Sequence, residues 1–594
     1  STDDLKTSGK ISAKNLESED LDNDGKISSD ENVKAKNIKN TGEIQAVGSI
    51  SGNDLKTSGK VRANRKITVS GELENGGDLE SGKSLTVSKN IKNTGKIAVN
   101  EDISGRDTQN SGSMYSKNLK TDNLKNDGKV EVGNDLKTAD IENTKDITAV
   151  GKISGKNVNN SGKILTNGTL DVKNVKNIGK IAAGSDVTSQ RLENSGVLAT
   201  NGNITTSDSM INSGNIEGKN LDITGLEFTN SGKISANNIR ARVNDTKNNG
   251  SISSANDIDL TTNTLTNTKE MLAVNSINSN NATVSNSGKM ASNGKILLNN
   301  SSITNIGEIL SGEISMQNAK KFDNTGTIKG NKTVLTTDQD LNLVGNLHGE
   351  SLLEISGNNI TNNGNTTGAG LIKISSNDFT NNKELASNAV IIDGRGNVVN
   401  NNMITGNDGK INGNSITNND LIAFDNYLEM NAKSKVLNNK DKSIYGGNAL
   451  IIHGQELMND EGEILGGNMD LNASKITNNV GTVQSTGDIF VTSNDFQNIG
   501  RVSNLGNYEK YYETWDGRRL SEAEVLNGWI YHHGDDWDKS SNGSRGRKAR
   551  SEQREWLETF IRDTGGNSLL LTKYQNDARR ALNNGYQKLE SESA

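Results

Sequence analysis

The segment 20–31 has the residue types and the spacing of a calcium-binding loop. Asp20, Asp22 and Asp24 place carboxylates at positions 1, 3 and 5 of such a loop. Gly25 stands at position 6 and Glu31 at position 12, as the pattern requires. The loop also needs a helix on each side, and the flanking sequence predicts none. We therefore predict no bound metal and no cofactor, and keep these four carboxylates as the alternative.

Catalytic chemistry has little support in the residue types. The chain has no Cys and four His, at 348, 453, 532 and 533. Thiolate catalysis is thereby excluded, and serine or carboxylate chemistry remains. Acidic and basic residues are spread evenly along the chain, so no segment stands out as a group of general acids and bases. We predict no catalytic residues and no enzymatic activity, with a carbohydrate-active enzyme as the alternative.

The composition excludes several classes of protein. Of 594 residues, 30% are hydrophobic and 3% aromatic, with no Cys and no Pro. Such a chain cannot fill ordinary globular cores and cannot be a disulfide scaffold. No apolar run reaches the roughly 20 residues that span a bilayer. The formal net charge of −7 gives no support to nucleic-acid binding. Low hydrophobicity suggests disorder, and the periodicity described next decides against it.

An internal repeat organises most of the chain. A segment of the form Asn-Thr/Ser-Gly-Lys-Ile recurs, and its Gly serves as a reference position. This position falls at 25, 42, 59 and 76, then at 95, 112, 128, 145, 162, 179 and 196, mostly in steps of 17. Steps of 18 to 21 follow as far as position 500, and Lys, Asn or Asp sometimes replaces Gly. The count from Gly9 to Gly500 predicts 28 repeats.

Three apolar positions keep a fixed distance from each reference position. Around Gly162 they are Val158, Ile164 and Leu170, four residues before, two after and eight after. Polar residues alternate with them, which is the period of a strand. Three short strands per repeat, joined by turns rich in Asn and Gly, predict one coil of a parallel β-helix, which buries its apolar side only by stacking.

We therefore predict an all-β, right-handed parallel β-helix of about 28 coils, or a rod roughly 130 Å long at the ~4.8 Å spacing of strands. Pro is absent because it would remove a hydrogen-bond donor from a central strand. Repeated Asn residues are expected to stack as an amide ladder. We also expect Asn and Gly at the turns to adopt left-handed backbone angles. A leucine-rich repeat is the rival, but its Leu-x-x-Leu-x-Leu frame is absent.

The repeat gives the domain organisation. Residues 1–506 form the β-helix, with 17-residue coils to about 196 and coils of 18 to 21 residues after it. Residues 507–594 lose the repeat and become rich in aromatic side chains. We predict that this segment is a cap or an extension of the β-helix.

The repeats resemble those of filamentous haemagglutinins, the large exoproteins of two-partner secretion. The resemblance lies in the pattern Leu-x-Asn-x-Gly-x-Ile-x-Ala followed by Leu-x-Val, it covers roughly residues 1–506, and it is closest at 463–473 and 478–483. It implies a secreted protein at the bacterial cell surface or outer membrane, exported by an outer-membrane partner transporter. The chain opens within a repeat, so we interpret it as an internal part of a longer exoprotein.

The aromatic segment is the candidate for recognition of a partner. Its proposed contact residues are the aromatic side chains that a receptor or glycan site commonly uses: Tyr511, Tyr512, Trp515, Trp529, Tyr531 and Trp537. The alternative is that these side chains are buried in the cap. The apolar spacing of 551–561 also predicts a helix there.

The function that these observations favour is a structural and adhesive rod, acting as a monomer. It would project a segment that binds a receptor or glycan on a host or neighbouring cell. One alternative is the stalk of a contact-dependent growth-inhibition protein that delivers a toxin. The other is the β-helix enzyme mentioned above.

Overall fold

The computed structural model describes residues 2–500 and three short strands nearer the C-terminus. The described residues are all-β and make a right-handed parallel β-solenoid of about 28 turns, which confirms the predicted fold. The chain divides into two compact units, Ser1–Leu298 and Asn299–Ala594. The predicted boundary at 506/507 lies outside the described residues and stays a prediction.

The first unit consists of short strands separated by turns. In chain order, strands β1 to β40 are Thr2–Thr7, Lys10–Ala13, Leu16–Asn23, Lys26–Ser29, Val33–Asn40, Glu43–Ala46, Ile50–Gly52, Asp54–Thr57, Lys60–Ala63, Ile67–Val69, Leu73–Asn75, Asp78–Ser81, Leu85–Val87, Ile91–Asn93, Lys96–Val99, Asp102–Ser104, Asp107–Asn110, Ser113–Ser116, Asn118–Lys120, Asn123–Asn126, Lys129–Val132, Leu136–Lys137, Asp140–Asn143, Asp146–Ala149, Ile153–Asn160, Lys163–Thr166, Leu170–Asn177, Lys180–Ala183, Val187–Asn194, Val197–Thr200, Ile204–Asn212, Asn215–Asn230, Lys233–Asn248, Ser251–Ser254, Asp257–Thr261, Thr264–Asn267, Glu270–Ala273, Ser276–Asn278, Thr283–Asn286 and Lys289–Leu297.

The second unit has longer strands in its later coils. Strands β41 to β60 are Ser302–Asn305, Glu308–Met316, Lys321–Asn324, Thr327–Thr336, Leu341–Leu343, Asn346–Ser356, Ile360–Asn362, Asn365–Gly368, Leu371–Ser376, Phe379–Asn381, Leu385–Ala386, Ala389–Gly394, Asn397–Asn400, Ile404–Asn418, Leu421–Asn438, Ser443–Asp460, Glu463–Asn479, Thr482–Ser485, Ile489–Thr492 and Asp495–Ile499. Strands β61 to β63 are Tyr511–Thr514, Arg519–Ser521 and Tyr586–Leu589, and β61 pairs antiparallel with the other two.

With the exception of β43 and β45, which are not paired with each other, the described strands of the solenoid pair in parallel with the equivalent strands of adjacent coils. Ile164 of β26 pairs with Ile147 of β24 and Ile181 of β28, and all three side chains are completely buried. Val158 and Leu170, the other predicted apolar positions of this coil, are also buried. The core of each unit is therefore a set of apolar columns along the coil axis, as predicted.

The register corrects the predicted repeat in two places. In the second unit Ile422 pairs with Ile444, a step of 22 residues that lies outside the predicted range of 18 to 21. Leu79 pairs with Val61 and with Ile97, so both of these steps are 18 residues. The position equivalent to Gly59 and Gly95 is therefore Gly77, and the predicted mark at 76 was wrong by one residue.

The predicted asparagine ladder is present inside both units. The side-chain amide of Asn160 donates to Asn177 Oδ1 at 2.8 Å and accepts from the amide of Asn143 at 2.7 Å. The same nitrogen lies 3.1 Å from the carbonyl oxygen of Gly162 and 3.2 Å from that of Lys180. Along the ladder each amide donates to the next coil, so the chain of hydrogen bonds runs in one direction. Buried amide groups are thereby satisfied coil by coil.

The ladder is repaired where Leu343 replaces Asn in the second unit. Leu343 is buried and cannot donate to the next ladder residue, Asn362. The hydroxyl of Thr366 donates to Asn362 Oδ1 instead, at 2.8 Å. The position of Thr366 is usually occupied by an aliphatic residue, which has no hydroxyl. Here the hydroxyl of Thr366 replaces the missing amide as the hydrogen-bond donor.

The first unit has a similar interruption without a repair. Thr57 replaces Asn in the ladder, accepts from Asn40 at 3.0 Å and directs its own hydrogen to the carbonyl oxygen of Gly59. The Oδ1 atom of the next ladder residue, Asn75, is buried and has no hydrogen-bond partner. A buried acceptor without a donor lowers stability.

Restoring the amide at this position should stabilise the first unit. Thr57→Asn supplies a donor to Asn75 Oδ1, and we expect the free energy of unfolding to rise by about 1 kcal/mol. Hydrogen exchange of the coils around residue 57 measures the change. Ser58→Asn, at the exposed neighbouring position, is the matched control and should have no effect. A loss of protection in Thr57→Asn alone would contradict the assignment.

The repeated Gly is needed for close approach between coils, and the prediction of left-handed angles at these residues was wrong. In the described residues, positive φ occurs at Gly225, which is not a repeat Gly, and at six non-Gly residues. Three of these six are Asn281, Asn300 and Asn318, which agrees with the prediction for Asn at turns. A Cβ atom at Gly179 would lie 2.1 Å from the carbonyl oxygen of Gly162. In one coil Lys145 takes the Gly position. There the backbone hydrogen bond from Asp146 N to Gly128 O is long, at 3.1 Å.

Candidate interaction surfaces

The four candidate calcium ligands lie on extended backbone and a turn. Asp20 and Asp22 belong to β3, Asp24 lies in the following turn and Glu31 follows β4. Asp20 accepts from the amide of Asn37 at 2.7 Å. An extended strand advances by about 3.3 Å per residue, so carboxylates that follow one another along it are spread out. They do not surround one point as in a calcium loop.

The other carboxylates of this segment are engaged by neighbouring coils. Asp24 accepts from the Thr41 hydroxyl at 2.5 Å, and Glu31 accepts from the Asn15 amide at 2.6 Å. Across the described part of the chain, no three His, Cys, Asp or Glu side chains are placed to hold a metal ion. The repeat accounts for the calcium-like spacing, and calcium binding by this segment stays the alternative, without support from its geometry.

The predicted recognition residues fall mostly outside the described residues. Tyr511 and Tyr512 lie in β61. Trp515, Trp529, Tyr531 and Trp537 lie outside, as does the predicted helix at 551–561. Their assignment to partner binding stays a prediction.

The last described coil carries exposed apolar side chains. Phe496 is 55% exposed and Ile489 43%, whereas their equivalents one coil earlier, Ile476 and Met469, are buried. This is the surface that a cap formed by residues 507–594 would cover.

A polar network lies on the outward face of the second unit. Glu429 accepts from the Asn431 amide at 2.6 Å, from the Tyr427 hydroxyl at 2.9 Å and from the Lys410 ammonium at 3.0 Å. The hydrogen bond from Asn431, joined by those from Lys410 and Tyr427, holds the pKa of Glu429 below its usual value although burial opposes this. Burial raises the pKa of Tyr427. A carboxylate held in this way is a poor general acid, so the network gives no support to catalysis.

The histidines of the described residues do not join this network. His348 lies 3.0 Å from the Thr367 hydroxyl and 3.0 Å from Glu350. His453 Nε2 lies 3.6 Å from Asp470, outside hydrogen-bond distance. Sequence analysis did not identify this network because its members are dispersed over two coils. The repeat register, which places Lys410 beside Glu429, was the signal that could have revealed it.

The first unit has two open grooves at equivalent corners of its coils. At each corner a buried or half-buried small residue separates two outward-facing ones. The first groove has a volume of about 700 Å³ and is lined by Lys34 and Lys36 together with Glu17 and Glu19. Lys34 pairs with Glu17 at 2.9 Å and Lys36 with Glu19 at 2.8 Å. Hydrogen bonding to Lys34 lowers the pKa of Glu17, and both lysines of the first groove are thus engaged by its carboxylates.

The second groove has nearly the same volume, about 690 Å³, and a different charge pattern. Its lining includes Lys120, Lys137, Lys156 and Lys173, with Asp122 and Asp171. Sequence analysis did not identify either groove, because the concave corner is a property of the folded coil.

Comparisons with known protein families, with curated proteins and with solved structures each find no match. The repeat pattern and the β-solenoid fold therefore carry the functional argument. Among the described residues, no helix has the length and apolar character to cross a membrane.

Proposed function

We propose that the chain is a structural and adhesive rod of a secreted, surface-displayed exoprotein of the haemagglutinin type, without enzymatic activity. The observation that carries this proposal is the parallel pairing of equivalent strands that recurs from coil to coil within each unit. In the first unit, about 17 coils at the ~4.8 Å strand spacing extend roughly 80 Å. Such a solenoid provides reach and a large surface with little core.

The outward side chains support a mechanical function. Oppositely charged residues of adjacent coils pair along the surface, as Lys26 does with Glu43 at 2.9 Å and Lys56 with Glu74 at 2.7 Å. Each exposed pair contributes little to stability, but the pairs hold neighbouring coils in register. Because the charges neutralise one another, they leave little positive potential to attract nucleic acid.

The proposed partners follow from the resemblance. Export would use an outer-membrane partner transporter, for which a chain without Cys is suited because no disulfide can form before passage. A monomeric rod would then present residues 507–594 to a receptor or glycan of a host or neighbouring cell. The aromatic content of that segment supports a binding function.

Cell binding tests the proposal. The purified chain is expected to bind target cells, and a chain truncated after residue 506 to lose most of that binding. A variant lacking one early coil, residues 26–42, keeps the segment and is the control for shortening of the rod. Equal binding by the truncated chain would contradict the assignment of recognition to 507–594. Absence of binding by every form would contradict the adhesive function.

A further inference from the structure

We propose that the second groove of the first unit binds a linear acidic polysaccharide with one carboxylate per sugar, a polyuronate. The inference deepens the proposed adhesive function, on which it rests, by naming a ligand class. Its test uses no cells, so its failure is distinguishable from failure of cell adhesion.

The charges of the groove favour an anion. Within the described residues, no ion pair or hydrogen bond engages the ammonium groups of Lys120, Lys137, Lys156 and Lys173. Asp171 is neutralised by Lys152, at 2.6 Å, which leaves Asp122 as the unpaired acid of the lining. The groove therefore carries an excess of positive charge over several coils.

Neighbouring carboxylates outside the groove are occupied. Asp140 accepts from the amide of Asn157 at 2.5 Å, and Asp135 accepts from the backbone N–H of Lys152 at 2.7 Å. Each carboxylate is held in its own hydrogen bond, and among the described residues neither is in an ion pair with a lysine of the groove.

The register sets the spacing of the lysines. Lys120 pairs in register with Lys137, so their side chains rise from adjacent coils on one side of the corner. Lys156 and Lys173 occupy equivalent positions on the other side, also in adjacent coils. Adjacent coils are ~4.8 Å apart, which is close to the length of one sugar ring in an extended chain. A polyuronate lying along the groove would thus meet successive lysines with successive carboxylates.

The floor of the groove leaves room for such a chain. Gly155, which has no side chain, forms the floor between the two sides of the corner, and Ala139 and Ser154 on either side carry small side chains. Hydroxyl groups of Thr188 and Ser154 add hydrogen-bonding capacity for sugar hydroxyls. Small residues between charged ones suit a narrow polymer.

The first groove shows what distinguishes the second. It has the same corner, nearly the same volume and two lysines, but both are paired with Glu17 and Glu19. We infer that pairing within the coil stack, and not the shape of the corner, decides which groove accepts an anion.

Binding of polygalacturonate to the full chain at low ionic strength tests the inference. Replacing Lys120, Lys137, Lys156 and Lys173 by Gln should weaken binding roughly tenfold or more, because four cationic contacts are lost. The variant Lys34→Gln/Lys36→Gln is the matched control and should change affinity less than about twofold, since these lysines are already paired. Added salt should weaken wild-type binding.

Two further arms define the ligand and the mechanism. Glu17→Gln/Glu19→Gln frees the lysines of the first groove and should increase binding. Methyl-esterified polygalacturonate, which lacks the charge, should not bind. Equal loss in both lysine variants, or binding of the ester, would overturn the proposal. Polyphosphate binding as tight as polygalacturonate binding would overturn the choice of a polyuronate. Thermal unfolding of each variant shows that the fold is kept.

Discussion

Replacing Asn160 by Asp is expected to lower the free energy of unfolding of the first unit by about 3–5 kcal/mol at neutral pH. Asn160 is completely buried, and its amide nitrogen faces the oxygen atoms of Asn177, Gly162 and Lys180. A carboxylate has no hydrogen to donate, so these acceptors would surround a buried negative charge. The ladder would be broken at this coil.

The destabilisation should depend on pH in a defined direction. Burial among acceptors raises the pKa of the new carboxyl group in the folded state above its unfolded value. The variant is therefore most stable below the unfolded pKa, where the protonated group donates one hydrogen bond, and loses stability as pH rises through the folded-state pKa.

Urea unfolding combined with hydrogen exchange measures this effect. Hydrogen exchange is needed because a solenoid can open locally, so one global transition does not describe it. Asn159→Asp, at the exposed neighbouring position, is the matched control and should stay within about 0.5 kcal/mol of the wild type. Equal stability of the two variants would show that the ladder contributes little.

The second large effect is expected at Phe424 in the second unit. Its ring is completely buried and fills the space beside Gly409, where a Cβ atom would lie 2.5 Å from ring atom Cε2. Phe424→Ala should lower the free energy of unfolding by about 3–5 kcal/mol, because the cavity is only partly closed by relaxation. Gly409→Val alone should also destabilise, by about 1–3 kcal/mol, through its clash with the ring.

The double variant makes the argument specific. The valine side chain introduced by Gly409→Val would occupy part of the space vacated by the ring, so the two changes together should destabilise less than the sum of the single changes, by about 0.5–3 kcal/mol. Phe490→Ala is the control, since Phe490 is 63% exposed. Urea unfolding of the wild type, the two single variants and the double variant gives the coupling energy. Strict additivity would mean that Gly409 does not make room for Phe424.

The fold could be predicted from sequence because the same apolar pattern recurs in many repeats. Val158, Ile164 and Leu170 recur at fixed distances, and each column they define is buried. Single coils were less certain. Gly76 and Gly77 are adjacent and equally suitable by residue type, and only the stacking on Gly59 selects Gly77.

The surface sites could not be predicted, for a different reason. Lys34 and Lys120 are equivalent by residue type, and their difference depends on what the neighbouring coil places beside them. Once the register is known, Lys34 falls beside Glu17 and Lys120 beside Lys137. The concave corner itself depends on backbone geometry that the apolar pattern does not encode. Calcium-like spacing at 20–31 misleads for the same reason, since the repeat imposes it.

The one-way asparagine ladder gives the solenoid a polarity. When coils are completed from the N-terminal side, the outermost Asn has its oxygen satisfied and an N–H directed at a residue that has not yet arrived. Asn143 in this state offers a donor to Asn160, and Asn160 then offers one to Asn177. Each finished coil is thus a template for the next coil. The unpaired N–H of its Asn favours an incoming residue that can accept a hydrogen bond, and favours the register in which that residue lies opposite the Asn.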